Sequence, residues 1–443
     1  MKKWTKTLLA LGTLCSLALV ATGCGNSAKS DSQSKTLNVA ALQGGYGKKM
    51  YTEVIKSFEK ANPGVKVKLT ISKSIEDEIT PNMKAGKYPD LVVLGQGRQA
   101  GLTESLIKDN QVEDVSSVLN MKVPGEKKTV KQKLIPGIVG NLGTNPYGNK
   151  KTYLMPMYYA PTGLVYNKGL LKSEGWSEPT TMKEFYALGD KAKAKGIALF
   201  TYPTSGYLDS YFYSTLATAG GTSFFNNVMS YKKNIWKSDT ATTVLDNTAK
   251  LLTKYTASST VGNANEQDFT KNQQLILDNK AIFMPNGTWI VGEMASAPHA
   301  KGFEWGMIPT PAYKENGKRY ITTSVESSWI PKQATNKTLA KKFMAFLYSD
   351  KAAKIFNRSG AVQPIKGESD KVSGDLKAFY RIYSQDNVEA VVGGFASAKP
   401  VEGVDIKATL FNTADSIISK KTTVSQWQSK LNSASNQLNA AKE

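Results

Sequence analysis

The chain has 443 residues, 40% hydrophobic and 21% charged, with two cysteines and one histidine. A single histidine, His299, leaves no pair for a metal and no partner for a nucleophile. That excludes His-ligated zinc and His-dependent serine or cysteine catalysis, but not a hydrolase with paired carboxylates.

The formal charge is +21, yet the lysines are scattered, arginines are few and no long basic cluster occurs. A spread positive field suits an anionic membrane or wall surface better than a nucleic acid. Residues 1–23 read as a targeting segment. Lys2, Lys3 and Lys6 precede an apolar stretch, 8–20, too short for a stable membrane span. Ala21-Thr22-Gly23-Cys24 then resembles a lipobox, with Ala21 where leucine is usual, and implies lipid attachment at Cys24. Cys15 would leave with the segment, so Cys24 alone remains and no intramolecular disulfide can form. Removing the three leader lysines leaves +18. Residues 24–36 are small and polar, as a flexible tether requires. The remaining chain, roughly 420 residues, exceeds one compact core and predicts two domains.

Residues 37–42 read as a strand, and Gln43-Gly44-Gly45-Tyr46-Gly47 as the turn after it. Met50, Val54, Ile55, Phe58 and Ala61 make a helical stripe, stopped by Asn62-Pro63-Gly64. Val65, Val67, Leu69 and Ile71 alternate as a second strand; a helix over 75–84 and a strand over 91–94 follow. Strand and helix alternate, which predicts a parallel, doubly wound sheet. Neither Gly44-Gly45 nor Gly95-Gln96-Gly97-Arg98 completes a phosphate-binding motif. Residues 110–147 are polar and dotted with proline and glycine, and carry little pattern.

Pro156 and Pro161 bracket an extended run, Met157-Tyr158-Tyr159-Ala160. Thr181 is placed to cap a helix, with Glu184 at the capping-box position. Tyr211, Phe212 and Leu216 have the spacing of a buried helix face, and Tyr207 and Asp209 precede them in a Ser-Gly-x-x-Asp loop. Asp209 is either a helix cap or an acceptor for paired hydroxyls. The apolar run 281–284, followed by Pro285-Asn286-Gly287, reads as a short buried strand ending at a turn. That turn presents Trp289 where ligands bind in open α/β sheets, outside the carboxyl end of a strand; otherwise Trp289 fills a core. Residues 314–320 read as a hairpin turn and 339–348 as an amphipathic helix. Gly393-Gly394-Phe395 interrupts a helical C-terminal region, in which Trp427 is expected in the core.

Four stretches carry a resemblance to a known family. These are Asn286-Gly287-x-Trp289, Tyr166-Asn167-Lys168 followed by Pro179-Thr180-Thr181, the Pro89–Val93 strand ending at Gly95, and a helix pair closing on Gly360-x-x-x-Pro364. Across about 37–438 they resemble the bacterial extracellular solute-binding proteins of the sugar-importing kind. The resemblance implies an α/β, periplasmic-binding-protein-like fold of two doubly wound lobes joined by a hinge. Residues 37–147 and 281–329 would form one lobe, and 148–280 and 330–443 the other. It further implies a monomeric, lipid-anchored protein on the outer face of the cell membrane. Such a protein captures a sugar or oligosaccharide and passes it to the permease subunits of an ABC importer. Catalysis, cofactor, metal and nucleic acid have no part in that expectation. Trp289 would stack on a sugar ring, with Asn286, Tyr207 and Asp209 beside it. Gln43, Tyr46, Gln96 and Arg98 would stand at the mouth of the cleft, or serve only as turn and cap residues. Tyr158 and Tyr159 would either pack the hinge or touch sugar. Two rival readings are a wall-polymer adhesion module, favoured by the charge, and a secreted carboxylate-pair glycosidase, for which no motif singles out a pair.

Overall fold

The computed structural model describes residues 34–441 apart from 45, 99, 136, 137 and 397. The leader, Cys24 and nearly all of the expected tether lie outside the described residues. Strand β1 (Thr36–Leu42) runs parallel to both β2 (Lys66–Ser72) and β3 (Leu91–Val93). The helix Gly47–Ala61 turns Met50, Tyr51, Val54, Ile55 and Phe58 inward, at the i, i+3, i+4 spacing of one face. Asn62 caps it, and Gly64 at φ +84° lets the chain reverse into β2.

The centre of the molecule is a pair of long crossing strands. β4 (Met155–Asn167) is buried along its whole length, and β8 (Arg319–Trp329) lies antiparallel to it, from Met155↔Ser328 to Thr162↔Thr322. A register shift between Pro156 and Tyr158 accommodates the proline. At its far end β4 stops because Asn167 Oδ1 accepts from Gly169 N (2.8 Å) and Glu304 N (3.0 Å), capping the helix Lys168–Glu174. The capping box at Thr181 and Glu184 forms as expected and starts the helix Met182–Lys193. β5 (Ala198–Phe200) and β6 (Ala281–Gly287) are parallel, β6 and β7 (Trp305–Ile308) pair antiparallel with β4, and β9 (Val388–Val392) lies parallel to β8. Parallel strand–helix–strand units therefore stand at both ends of the sheet. The antiparallel crossing strands that join them, and β9 in a stretch read as helical, are not evident in the sequence pattern.

Two hydrophobic cores flank the crossing. One joins Leu37, Val39, Phe58, Leu91 and Met157 to Phe343, Phe346 and Ile355; the Phe58 ring centroid lies 4.8 Å from Phe343 and 5.3 Å from Phe346. The other gathers Leu164, Phe185, Phe200, Tyr211, Leu245, Phe283 and Trp427. The helices Lys337–Leu347 and Asp350–Arg358 thus pack with β1, and β6 packs with β5.

The Pro285-Asn286-Gly287 run is strand, not turn: Pro285 pairs with Leu164 and Gly287 with Thr162. The carbonyl of Phe283 faces β5 and accepts from Thr201 N at 3.0 Å. Pro285, two residues on, faces the same side, beyond the end of β5, so its missing N–H breaks no ladder bond.

Candidate binding cleft

A cavity of about 1360 Å³ opens between the two cores. Its floor is the crossing, at Thr162 and Thr322 to Val325; Gln96, Glu104 and Lys108 stand on one side, and Tyr207, Asp209, Trp289 and Lys407 on the other. The floor hydroxyls are largely committed to the protein. Thr162 Oγ1 donates to the Thr322 carbonyl (3.0 Å), Thr322 Oγ1 to the Ser210 carbonyl (2.9 Å), and Thr323 Oγ1 lies 2.7 Å from the Tyr383 hydroxyl. The first ties β4 to β8, and the other two tie β8 to Ser210 and Tyr383, which leaves recognition to the walls.

Trp289 follows directly on the end of β6, half-buried at the start of the short helix Ile290–Glu293. Its indole lies back across Gly287, where a Cβ would stand 2.2 Å from Cζ3 and 2.3 Å from Cη2. No side chain fits there, so Gly287 sets the angle at which the ring meets the cavity. The Tyr207 ring sits 6.3 Å away, inclined at 60°. Burial pushes the Tyr207 hydroxyl up to about 12, which keeps it a neutral donor at physiological pH. Asp209 occupies the first turn of the helix Leu208–Met229. Burial raises its carboxyl to about 6 against the pull of the Ser210 N–H and the Lys407 charge. It is mostly ionised at pH 7 and able to accept two hydroxyl hydrogen bonds. Flat aromatic faces beside an acceptor of this kind match a molecule with C–H faces and a belt of hydroxyls. Three lysines (108, 399, 407) and four carboxylates (Glu104, Asp209, Glu266, Asp405) line the cavity, a near balance that favours no charged ligand.

Four of the ten residues singled out from sequence, Gln96, Tyr207, Asp209 and Trp289, line this cavity. The other six stand elsewhere, for physical reasons. Asn286 is fully buried and turns its Oδ1 onto Gly287 N (2.8 Å). Tyr158 packs in the first core, its hydroxyl 3.5 Å from that of Tyr51 and its ring edge-on to Tyr46 at 5.1 Å. Tyr159 lies among Tyr380 and Tyr383, both at 5.6 Å, and its carbonyl accepts from the Tyr380 hydroxyl. Arg98 is drawn off by the buried Glu76, with Nε to Oε2 at 2.7 Å. Gln43 is half-buried at the end of β1 and donates its N–H to the Ser72 carbonyl. Tyr46 reaches across to the end of β6, its hydroxyl 3.4 Å from Thr288 Oγ1.

Several cavity residues had no readable signal. Lys407, Tyr213 and Tyr231 carry no motif, and only Phe395 was marked, by the two glycines before it. Glu326 on β8, outside the cavity lining, carries no motif either. It faces Gly95, where a Cβ would lie 3.2 Å from its Oε1, and burial raises its carboxyl to about 7 despite the Gly95 N–H and Arg98. Among the described residues no group of three or more His, Cys, Asp or Glu could hold a metal ion, and no helix is long and apolar enough to cross a membrane.

Comparison with known proteins extends these observations. The profile of the bacterial extracellular solute-binding proteins matches residues 40–354. A diacetylchitobiose-binding protein of Streptomyces coelicolor is 26% identical over 335 residues, 73% of this chain and 68% of its own. An arabinooligosaccharide-binding protein of Bacillus subtilis is 23% identical over 355 residues, 78% of this chain and 76% of its own. Among solved structures, apo RafE from Streptococcus pneumoniae is similar with a TM-score of 0.70 at 20% identity, covering 92% of this chain and 99% of that one. The same fold, at a TM-score of 0.67 and 19% identity, is seen in RafE with raffinose, covering 91% of this chain and 99% of that one.

Proposed function

Since the chain belongs to the bacterial extracellular solute-binding proteins, we propose that it captures a neutral saccharide in the cleft and delivers it to the permease of an ABC importer. The observation that carries this reading is the Trp289–Tyr207 pair beside the ionised Asp209 in a cavity of balanced charge. The relatives named for diacetylchitobiose and arabinooligosaccharide support the ligand class. Lobe boundaries are assigned to the crossing strands β4 and β8, which pass from one core to the other and serve as the hinge. Ligand touching both walls stabilises the closed arrangement, because only that arrangement offers both sets of contacts. The protein works as a monomeric receptor, without catalysis or cofactor.

A thermal-shift screen over mono- and oligosaccharides tests the ligand class. A saccharide at a hundred times its dissociation constant should stabilise the fold by about 2.7 kcal/mol, and incubation should release no reducing sugar. If only an anionic wall polymer shifted the melt, and salt abolished the shift, the adhesion reading would replace this one. Anchoring is assigned to Cys24 on the strength of the apolar leader and the Ala21-Thr22-Gly23 run. Cys24→Ala is expected to appear in the medium with saccharide binding intact; retention in the membrane fraction would rule the anchor out.

A further inference from the structure

A second cavity, of about 580 Å³, has only Lys108 in common with the cleft. Hydrogen bonds to the backbone fix its rim. Lys108 ends the helix Leu102–Lys108, and the Tyr147 hydroxyl donates to the neighbouring Ile107 carbonyl at 2.8 Å. Lys332 follows β8 and donates its N–H to the Gln111 carbonyl at 2.9 Å. The acids of the lining are already paired. Glu113 Oε2 accepts from Lys337 Nζ at 2.9 Å, and Oε1 from Lys341 Nζ at 3.3 Å. Asp114 Oδ1 accepts from Ser116 N and Oγ, and Oδ2 pairs with Lys151 at 3.1 Å. Burial opposes both charges, but these contacts outweigh it and hold the two carboxyls below their ordinary values. What remains uncommitted is a set of donors. Among the described residues neither Lys108 nor Lys332 has a carboxylate partner. Tyr153, 6% exposed, accepts from Asn149 Nδ2 at 2.8 Å, and its own hydroxyl proton meets no acceptor among the described residues.

We infer that this cavity is an anion site for a phosphate group, outside the cleft and independent of the saccharide reading. A phosphate presents several acceptor oxygens and a negative charge, which suit two ammonium groups and a hydroxyl donor. A neutral sugar must donate as well as accept, and the carboxylates that could take its hydroxyls here are occupied. Lys108 and Lys332 supply the charge from long, adaptable stems on the rim. The buried Tyr153 hydroxyl supplies a fixed donor, with Asn149 setting its direction. The chain's scattered positive charge draws anions toward the surface, and these three groups give one of them a place to stay. The same phosphate chemistry occurs in soluble phosphate esters and in the headgroups of the membrane to which Cys24 would tether the chain.

The test uses the secreted Cys24→Ala protein, with glycerol phosphate titrated by phosphorus NMR. Cosedimentation is measured with vesicles of phosphatidylglycerol in phosphatidylcholine, and with phosphatidylcholine alone. Lys332→Glu is expected to weaken glycerol phosphate binding about tenfold or more, and Tyr153→Phe about threefold. Both should keep the melt, and saccharide affinity within about twofold, because neither residue lines the cleft. Lys301→Glu, at an exposed lysine outside this lining, makes the same change of net charge and should cost less than about twofold. Binding to the phosphatidylglycerol vesicles that Lys332→Glu abolishes and glycerol phosphate displaces supports the site and makes the headgroup its ligand. Glycerol phosphate binding with no Lys332-dependent vesicle binding supports the site with a soluble ester as ligand. Equal losses for Lys332→Glu and Lys301→Glu would reduce the effect to the general field and overturn the site. Wild-type affinity in Tyr153→Phe, or no binding of glycerol phosphate at all, would overturn it as well.

Discussion

Trp289→Ala is expected to weaken saccharide binding about tenfold to a hundredfold while the protein stays folded. The indole is half-buried, rests against Gly287 and turns toward the cavity with Tyr207 beside it. Stacking on a sugar and burying the shared face should contribute on the order of 1–3 kcal/mol, at 1.4 kcal/mol per decade of affinity. Trp427 supplies the contrast within the same chain. It is 1% exposed, and its Nε1–H donates to the Thr409 carbonyl at 3.1 Å. Trp427→Ala should cost roughly 3–5 kcal/mol of stability and change the affinity of the folded fraction little. Calorimetry and a denaturant melt on both variants separate the two roles. A strongly lowered melt with unchanged affinity for Trp289→Ala would make it a packing residue.

Affinity should depend on pH through Asp209. The carboxyl titrates at about 6 because burial opposes its charge. Sugar hydroxyls donate to the ionised form, so affinity is expected to be flat above about pH 7. It should fall as pH drops through 6, approaching a tenfold loss per unit when the protonated form binds weakly. The sign for stability is opposite. Between the unfolded value of 3.8 and about 6 the native state holds the proton that the unfolded chain has released, so stability declines as pH rises through that window. A shift of this size is on the order of 3 kcal/mol. Asp209→Asn should therefore bind at least tenfold more weakly at pH 8, lose most of the pH dependence and melt higher than the wild type without ligand. Burial pushes the neighbouring Tyr207 and Tyr213 hydroxyls up, so both stay neutral across this range. Wild-type affinity that is constant from pH 5 to 8 would remove Asp209 from the site.

Local elements were legible in the sequence where one interaction range decided them. The helix Gly47–Ala61, the box at Thr181 and Glu184, and the buried Tyr211–Phe212 face all follow from spacing and capping within a few residues. Pro285 misled, because proline tolerance depends on where the neighbouring β5 ends, some eighty residues away in sequence. The packing of the first core was hidden for the same reason: Phe58 meets Phe343 across a separation no window spans. At the cleft, Trp289 and Asp209 stood at recognisable breaks. Arg98 looked equally available, yet Glu76 holds it. The partner of a charged side chain is a property of the fold, and no motif marks it.

Small-angle scattering with and without saturating oligosaccharide tests most directly the claim that ligand closes one lobe on the other. The radius of gyration should fall when ligand is added to the wild type, and by the same amount for Trp289→Ala once its weaker site is saturated. A radius that stays unchanged while calorimetry shows the site filled would contradict capture by hinge closure about β4 and β8.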